Sequence, residues 1–296
     1  MAAILLATAC WSSGGVIAKR ADLPGVQLAF WRLAVVALIF AGLALATRRR
    51  ITVDMVRVSL LGGLLFGVNL AAWFEALRHT TVGIATVTGA LTPVVALVVG
   101  NRLLGERITP LALGCATAVM SGIVVFVVPS FGASGSSLGG IVLALIAITL
   151  WVSYLFATKQ ARDSIGSIEY LFCMAAVAAI SLVPYLLIFT DEGLRPPTHG
   201  WGWLIALAVI PGSIGHGLLT WAQPHVPLST SGILLQGEPV GAAIAGAIFL
   251  GESFGPLQAI GLAMVFAALA VLTRATTVQT PPTASHVLVV DLTPDD

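Results

Sequence analysis

Apolar segments of about 20 residues follow one another along most of this chain, and this succession limits its possible folds more than any other feature. Each segment is long enough for a helix to cross a bilayer core of about 30 Å. Short stretches of charged residues and turn formers separate the segments. The sequence therefore predicts an all-α integral membrane protein with ten transmembrane helices. The ten windows are residues 2–18, 26–46, 57–77, 82–100, 109–128, 138–158, 168–189, 202–222, 228–249 and 255–273.

The composition supports the same interpretation and excludes several classes of protein. Apolar residues make up 58% of the chain and charged residues 9%, whereas about 25% of a soluble domain is charged. A net charge of +1 gives no basic surface for nucleic acid, so no nucleic-acid partner is expected. Cys10, Cys115 and Cys173 lie in apolar windows, where thiols behave as small apolar side chains. We therefore expect no disulfide framework, no bound metal and no cofactor.

The two ends of the chain differ in character. The segment Met1–Ala18 has the length of a signal peptide but lacks its positively charged start, so we interpret it as the first span. Residues 275–296 are rich in Thr, Pro and Asp and are predicted to form a disordered cytoplasmic tail.

The distribution of cations predicts the orientation in the membrane. With a cytoplasmic amino terminus, nine cations fall on the inner side and four on the outer side, as the positive-inside rule requires. Both termini are then cytoplasmic, and a bacterial inner membrane fits the short loops. The inner cations are Arg48, Arg49, Arg50, Arg57, Arg102, Arg107, Lys159, Arg162 and Arg274, and the outer ones are Lys19, Arg20, Arg78 and Arg195.

An internal repeat divides the chain into a first half, 1–128, and a second half, 138–274, joined by a linker loop, 129–137. Each half contains five of the predicted spans, so the second half enters the membrane from the opposite side and the repeat is inverted. Inverted repeats are common in secondary transporters, where two mirrored halves enclose one central site. At an offset of 146 residues Pro93 aligns with Pro239 and Leu104-Gly105-Glu106 with Leu250-Gly251-Glu252, and at 140 residues Trp11 aligns with Trp151 and Lys19 with Lys159.

These motifs resemble those of the drug/metabolite transporter superfamily, specifically its EamA-type members. The resemblance rests on the paired segments 104–110 and 250–256, the proline upstream of each, and Phe30-Trp31-Arg32 in the second window. It implies ten helices around a central cavity and transport of a small metabolite, often as export, without nucleotide hydrolysis. The chain departs from a regular repeat at Phe172, which occupies the place that matches Arg32.

Two charged residues within the predicted spans are the main candidates for the mechanism. Glu238 lies near the middle of the ninth span, where an ionised carboxylate is costly. It either faces substrate or water and exchanges a proton, or bonds to a neighbouring helix. Arg32 lies about six residues into the second span and either extends to the interface or forms a fixed charge, paired with Glu75 or Glu238 or bound to an anionic group of the substrate.

Further polar and aromatic residues are predicted to line a cavity or to form bonds between helices. Asn69 and Trp73 are four residues apart and share a helix face, and His216 and Thr220 do the same. Gln236, two residues before Glu238, is a further candidate. Trp11 and Trp151, with Tyr154 one turn after the latter, belong either to aromatic belts or to the pocket wall.

The paired prolines and paired glutamates have separate predicted roles. Pro93 and Pro239 are expected to kink their helices and to free the carbonyls of Gly89 and Leu235. Glu106 and Glu252 lie at helix junctions and are expected to cap or pair with nearby groups such as Arg107, in a structural role.

We therefore expect a secondary transporter of a small organic solute that works by alternating access and uses a solute or proton gradient. A membrane-embedded enzyme acting on a lipid-linked or small substrate is one alternative, although the loops are short for a set of catalytic groups. A channel is another, although its filter would need rings of carbonyls or charges around an axis. The expected partners are the small-molecule substrate and the lipid bilayer, and the sequence leaves the oligomeric state open, a monomer included.

Overall fold

The computed structural model describes residues 1–79, 89, 91–128, 138–191, 193–238, 240–241 and 255–278. Within this part of the chain all regular secondary structure is helical. The helices are α1 (Ala2–Ser12), α2 (Gly14–Ala21), α3 (Gly25–Ala46), α4 (Val53–His79), α5 (Thr92–Leu104), α6 (Pro110–Val127), α7 (Leu138–Ala161), α8 (Ser167–Phe189), α9 (Trp201–Leu207), α10 (His216–Ala222), α11 (Leu228–Leu234) and α12 (Pro256–Val278).

Among the described residues, six helical segments are long and apolar enough to cross a membrane, and three shorter apolar helices accompany them. Large apolar side chains such as Leu38, Leu45 and Ile188 are exposed on the outside of the bundle, where lipid tails would cover them. The chain is therefore an all-α, multi-pass integral membrane protein. The six segments are Gly25–Ala46, Val53–Trp73, Leu138–Ala161, Ser167–Phe189, Trp201–His225 and Pro256–Ala275, and the shorter ones are Ala2–Ala18, Thr92–Leu104 and Pro110–Phe126.

These segments agree with the predicted windows at most positions. Parts of the predicted fourth and ninth spans, 82–100 and 228–249, lie outside the described residues, as do the linker loop 129–137 and most of the tail.

The helices pack in two groups that interleave distant parts of the sequence. The α4 group consists of α3, α4, α7 and α8, in which α4 packs along both α7 and α8. The α12 group consists of α5, α6, α11 and α12, in which α6 packs along α12 and α5 along α11. The helix α1 contacts α10 and α11, whereas α9 contacts α2 and α3, and α10 contacts α8. The helix α5 contacts α7 at the boundary between the two groups, which we call the seam.

Glycines allow the closest helix contacts in both groups. A Cβ atom built on Gly261 of α12 would lie 2.5 Å from the carbonyl oxygen of Gly122 in α6. In the α4 group, a Cβ on Gly63 would lie 2.6 Å from the Cβ of Val177. Small residues are the usual means by which membrane helices approach closely.

The segment Trp201–His225 is not wound uniformly. Between α9 and α10, residues Ala208–Gly215 form a π-helical segment that contains Pro211, and residues Gln223–His225 form a 3₁₀ turn. The first span is also interrupted, because α1 ends at Ser12 and α2 begins at Gly14. Trp11 joins the two irregular segments, since its indole Nε1 donates to the carbonyl oxygen of Pro211 at 2.8 Å.

The junction between α5 and α6 follows from its sequence. Gly105 ends α5 with a φ of 65°, a left-handed conformation that glycine adopts without strain. The Thr109 side chain then caps α6 by accepting from the amide of Ala112, and Pro110 occupies the first turn, where a missing N–H costs nothing. This short junction holds Glu106 close to the second half of the chain.

Candidate functional site

A cavity of about 470 Å³ lies among α1 to α5, α7, α9, the π-helical segment, α10 and the residues after α11. This volume falls within the range of pockets that hold small organic ligands. The lining combines two charged side chains, four aromatic residues, an amide and an imidazole. The lining residues are Trp11, Gly14, Ala18, Leu28, Ala29, Arg32, Phe66, Asn69, Leu70, Trp73, Gly89, Thr92, Ala147, Ile148, Trp151, Leu207, Pro211, His216 and Glu238.

Arg32 and Glu238 supply opposite charges to this cavity. Arg32 lies in the second turn of α3 and its Nε is buried without a hydrogen-bond partner. In the described part of the chain no direct ion pair joins it to Glu238. The structure thus places Arg32 on the cavity wall and not at the membrane interface. The side chain of Glu75, the other predicted partner of Arg32, is not among those described.

The backbone around Glu238 connects it to the first helix. Its carbonyl oxygen accepts from the Ser12 hydroxyl at 3.3 Å. Its amide donates to the carbonyl oxygen of Leu235 at 3.0 Å, which satisfies the acceptor that Pro239 cannot reach because proline lacks an N–H. Pro239 itself lies outside the described residues, so its predicted kink stays a prediction.

Aromatic rings form one continuous wall of the cavity. The ring centroids of Trp11 and Trp151 are 5.6 Å apart in an edge-to-face arrangement, and Phe66 lies 5.1 Å from His216. Tyr154 stacks on Phe66 at 4.8 Å from outside the cavity and is fully buried. The two tryptophans therefore lie in the pocket wall, and Tyr154 supports that wall from behind.

Asn69 and Trp73 both line the cavity from α4, as their spacing of four residues predicts. Asn69 also forms a bond between helices, since its Nδ2 donates to the carbonyl oxygen of Ala147 at 2.7 Å. Asn69 therefore lines the cavity and also bonds to a neighbouring helix, the two roles that the sequence left open for it.

His216 lines the cavity, and its contacts fit two tautomers of the imidazole. Its Nδ1 is 3.2 Å from the Trp11 indole nitrogen, which donates, and 3.0 Å from the carbonyl oxygen of Pro211. If Nδ1 accepts from Trp11, then Nε2 carries the proton, and if Nδ1 donates to Pro211, then Nε2 is an acceptor. Its Nε2 is buried and has no partner. Thr220, one turn later, is fully buried and does not line the cavity.

Gln236 and Pro93 meet at one backbone carbonyl. Pro93 lies in the first turn of α5 and leaves the carbonyl of Gly89 without a helical N–H. The Thr92 hydroxyl donates to that oxygen at 2.7 Å and Gln236 Nε2 donates to it at 3.4 Å. Gln236 is buried behind the cavity wall and is not one of the lining residues.

Glu106 forms a cluster that sequence reasoning located only in part. Its Oε1 lies 3.0 Å from the Lys159 Nζ, and its two oxygens accept from the amides of Leu228 and Ser229 at 2.6 and 3.1 Å. Burial alone would raise the pKa of this carboxyl, but the two amides and Lys159 outweigh burial and hold the pKa below its ordinary value. The sequence predicted that Glu106 caps a helix or pairs with a nearby group such as Arg107, and its cationic partner in the structure is Lys159. The alignment of Lys19 with Lys159 in the repeat was the available signal for this lysine. Glu252 lies outside the described residues.

The described side chains offer no metal site, since no three His, Cys, Asp or Glu residues among them come together. The acids at the cavity and at the α5–α6 junction are each single carboxylates.

The comparisons with known proteins agree with this architecture. The model of the EamA-like transporter family matches residues 1–128 and 138–274. The threonine/homoserine exporter RhtA of Escherichia coli is 31% identical over 136 residues, a match that spans 44% of each protein. A protein of Streptantibioticus cattleyicolor with the name "Probable terminal-alkyne amino-acid exporter" is 26% identical over 254 residues, 85% of this chain and 84% of its own. A solved crystal structure covers 94% of this chain, and 98% of its own, with a TM-score of 0.78 at 21% identity, which indicates a shared fold.

Proposed function

The chain belongs to the EamA-like transporter family, and on this premise we propose that it exports a small zwitterionic solute, of the α-amino-acid type, through the central cavity. The observation that carries the proposal is the pair of opposite charges, Arg32 and Glu238, which face one cavity without neutralising each other directly.

A free amino acid carries the complementary pair of charges. The guanidinium of Arg32 presents several N–H donors that match a carboxylate, and its Nε has no partner within the protein. The carboxylate of Glu238 is the matching acceptor for an ammonium group. A solute that brings both charges would replace the water that each group otherwise needs in the membrane.

The remaining walls suit the rest of such a solute. Trp11, Phe66, Trp73 and Trp151 offer apolar surface for a side chain, while Asn69 and His216 offer polar atoms beside it. Two relatives with names that specify an amino acid, the threonine/homoserine exporter and the probable terminal-alkyne amino-acid exporter, support the proposed class. Another relative has the name pseudopaline exporter.

The proposed architecture has ten spans in two inverted five-helix halves, 1–128 and 138–274, with the loop 129–137 between them and the tail 275–296 in the cytoplasm. The two separate ranges that the family model matches support this division. Both termini are proposed to be cytoplasmic in an inner membrane, and alternating access is the proposed mechanism. Glu238 is proposed to exchange a proton with the solute or with water during the cycle.

The testing experiment uses purified protein in proteoliposomes with a pooled mixture of amino acids, sugars and nucleosides, read by mass spectrometry with and without a pH gradient. We expect selective accumulation of an amino acid, competition by the free amino acid, and weak competition by its methyl ester or its N-acetyl derivative. Arg32→Gln should remove the discrimination against the ester, and Glu238→Gln should remove the dependence on the pH gradient.

Other outcomes point to the alternatives. Selective transport of a sugar or nucleoside that Arg32→Gln leaves unchanged would refute the zwitterion proposal. A flux that does not saturate would indicate a channel, and chemical conversion of a pooled compound would indicate an enzyme.

A further inference from the structure

The central cavity extends toward one end of the bundle. Its lining residues in α3 all fall within the first eight positions of that helix, and those in α4 fall at its midpoint or beyond. The opposite end holds the end of α5, the end of α7 and the start of α11, and none of the described residues there line the cavity. We call this opposite end the closed face.

Lys159 connects the two packing groups at the closed face. It lies in the last turn of α7, in the α4 group. Its Nζ donates to Glu106 Oε1 at 3.0 Å and to the carbonyl oxygen of Val226 at 2.9 Å, and both acceptors adjoin helices of the α12 group. The Lys159 and Glu106 side chains are 19% and 13% exposed, so the pair is largely shielded from water. A shielded ion pair that is also hydrogen-bonded contributes more than a surface pair.

Polar side chains without partners are buried beside this connection. Gln223 and Ser231 are completely buried, and neither side chain forms a hydrogen bond in the structure. The Thr220 hydroxyl is likewise buried without a hydrogen-bond partner. The carbonyl oxygen of the same residue accepts from Arg162 Nε at 3.1 Å. A buried polar group without a partner destabilises the folded protein, so three such side chains in one region need an explanation. Hydration in a second conformation would provide one.

We propose that Lys159 acts as a latch, which means that its two bonds hold the closed face together. When these bonds break, Thr220, Gln223 and Ser231 become exposed and form the wall of the second half of the transport path. This inference rests on the proposed transport function. Opening at this face separates α7 from the α5–α6 junction and from the start of α11, so it must break both bonds of the Lys159 ammonium.

A second ion pair on the same face provides a matched control. Arg49 donates to Glu169 Oε1 at 2.8 Å. Arg49 follows α3 and Glu169 lies in the first turn of α8, so this pair lies within the α4 group and does not cross the seam. Its removal takes away an ion pair at the same end of the bundle while leaving the latch in place.

The test measures how fast a water-soluble maleimide labels Ser231→Cys in lipid nanodiscs, in a background without Cys10, Cys115 and Cys173. We expect slow labelling with Lys159 present and labelling roughly tenfold faster in Lys159→Gln, because two charge-assisted hydrogen bonds are lost. Lys159→Arg should retain slow labelling, and Arg49→Gln should match the parent protein. A reporter at Ala29→Cys, in the cavity wall, should respond in the opposite direction and label more slowly in Lys159→Gln.

Two results would overturn the latch. One is unchanged labelling of Ser231→Cys in Lys159→Gln, with full labelling after denaturation and a single symmetric peak in gel filtration. The other is equal acceleration in Lys159→Gln and Arg49→Gln, which would indicate general loosening of this face. Because labelling needs no substrate, it tests the latch even if no solute is transported, and transport with unchanged labelling would refute only the latch.

Discussion

The contact between α6 and α12 allows a quantitative prediction for Gly261→Ala. The added Cβ would lie 2.5 Å from the carbonyl oxygen of Gly122, 2.6 Å from the amide nitrogen of Phe126 and 2.9 Å from its Cα. All three are backbone atoms, so no side-chain rotation can relieve the overlap. Carbon atoms pack at about 3.5–4.0 Å, so the two helices must move apart by roughly 1 Å.

The expected cost follows from two opposing effects. Overpacking costs about 1–3 kcal/mol, and the loss of backbone contacts along this interface favours the upper end. Alanine recovers about 1 kcal/mol through its better helix propensity. In a protein of about 150–250 residues, a net loss of about 2 kcal/mol lowers the Tm by roughly 4–8 °C, and a similar fall is expected in this somewhat longer chain.

The assay is thermal unfolding of the purified protein in detergent, compared with Gly114→Ala as control. Gly114 lies in the same helix, α6, and a Cβ there would meet nothing within 4 Å. Gly114→Ala should therefore match the parent protein or unfold at a slightly higher temperature. A Tm for Gly261→Ala within about 1 °C of the parent value would refute the argument from backbone contact.

Three further predictions concern polar contacts. Because the pKa of Glu106 is held below its ordinary value, its carboxylate stabilises the folded protein above that ordinary value and loses this effect as the pH falls through the lowered pKa. The Tm difference between the parent and Glu106→Gln should therefore shrink on acidification, and a constant difference would contradict the reasoning. Trp11→Phe keeps an aromatic ring but loses the indole N–H that donates to Pro211, and should slow export roughly tenfold in proteoliposomes without loss of folded protein. Asn69→Ala removes the bond between α4 and the carbonyl of Ala147, which keeps its helical bond within α7, and should lower the Tm at a cost of about 0.5–1.5 kcal/mol.

The spans were predictable from the sequence because a bilayer imposes a length on every apolar helix. The windows 26–46 and 138–158 correspond to α3 and to most of α7. Within a helix, the spacing of Asn69 and Trp73 was also enough to place both on one face, and both line the cavity.

The pairing of helices could not be predicted in the same way. A membrane helix such as α4 is apolar toward lipid and apolar toward its neighbours, so its sequence carries little record of which face contacts α7 or α8. The contact of Glu106 with Lys159 joins residues 53 positions apart and depends on that packing. The orientation of Arg32 was open for a similar reason, since a long flexible side chain can reach either water at the interface or a cavity.

The π-helical segment Ala208–Gly215 acts as a one-residue insertion in an otherwise ordinary spanning helix. The lining residues Leu207, Pro211 and His216 are spaced by four and then five positions, whereas regular α-winding would bring Gly215 onto that face. Rewinding the segment as regular α-helix, with every residue kept, would turn everything after it by about 100° and would move the imidazole off the cavity wall. The winding of this segment thus decides which side chains face the cavity, and a relative with one residue fewer there would present the same side chains from an ordinary α-helix.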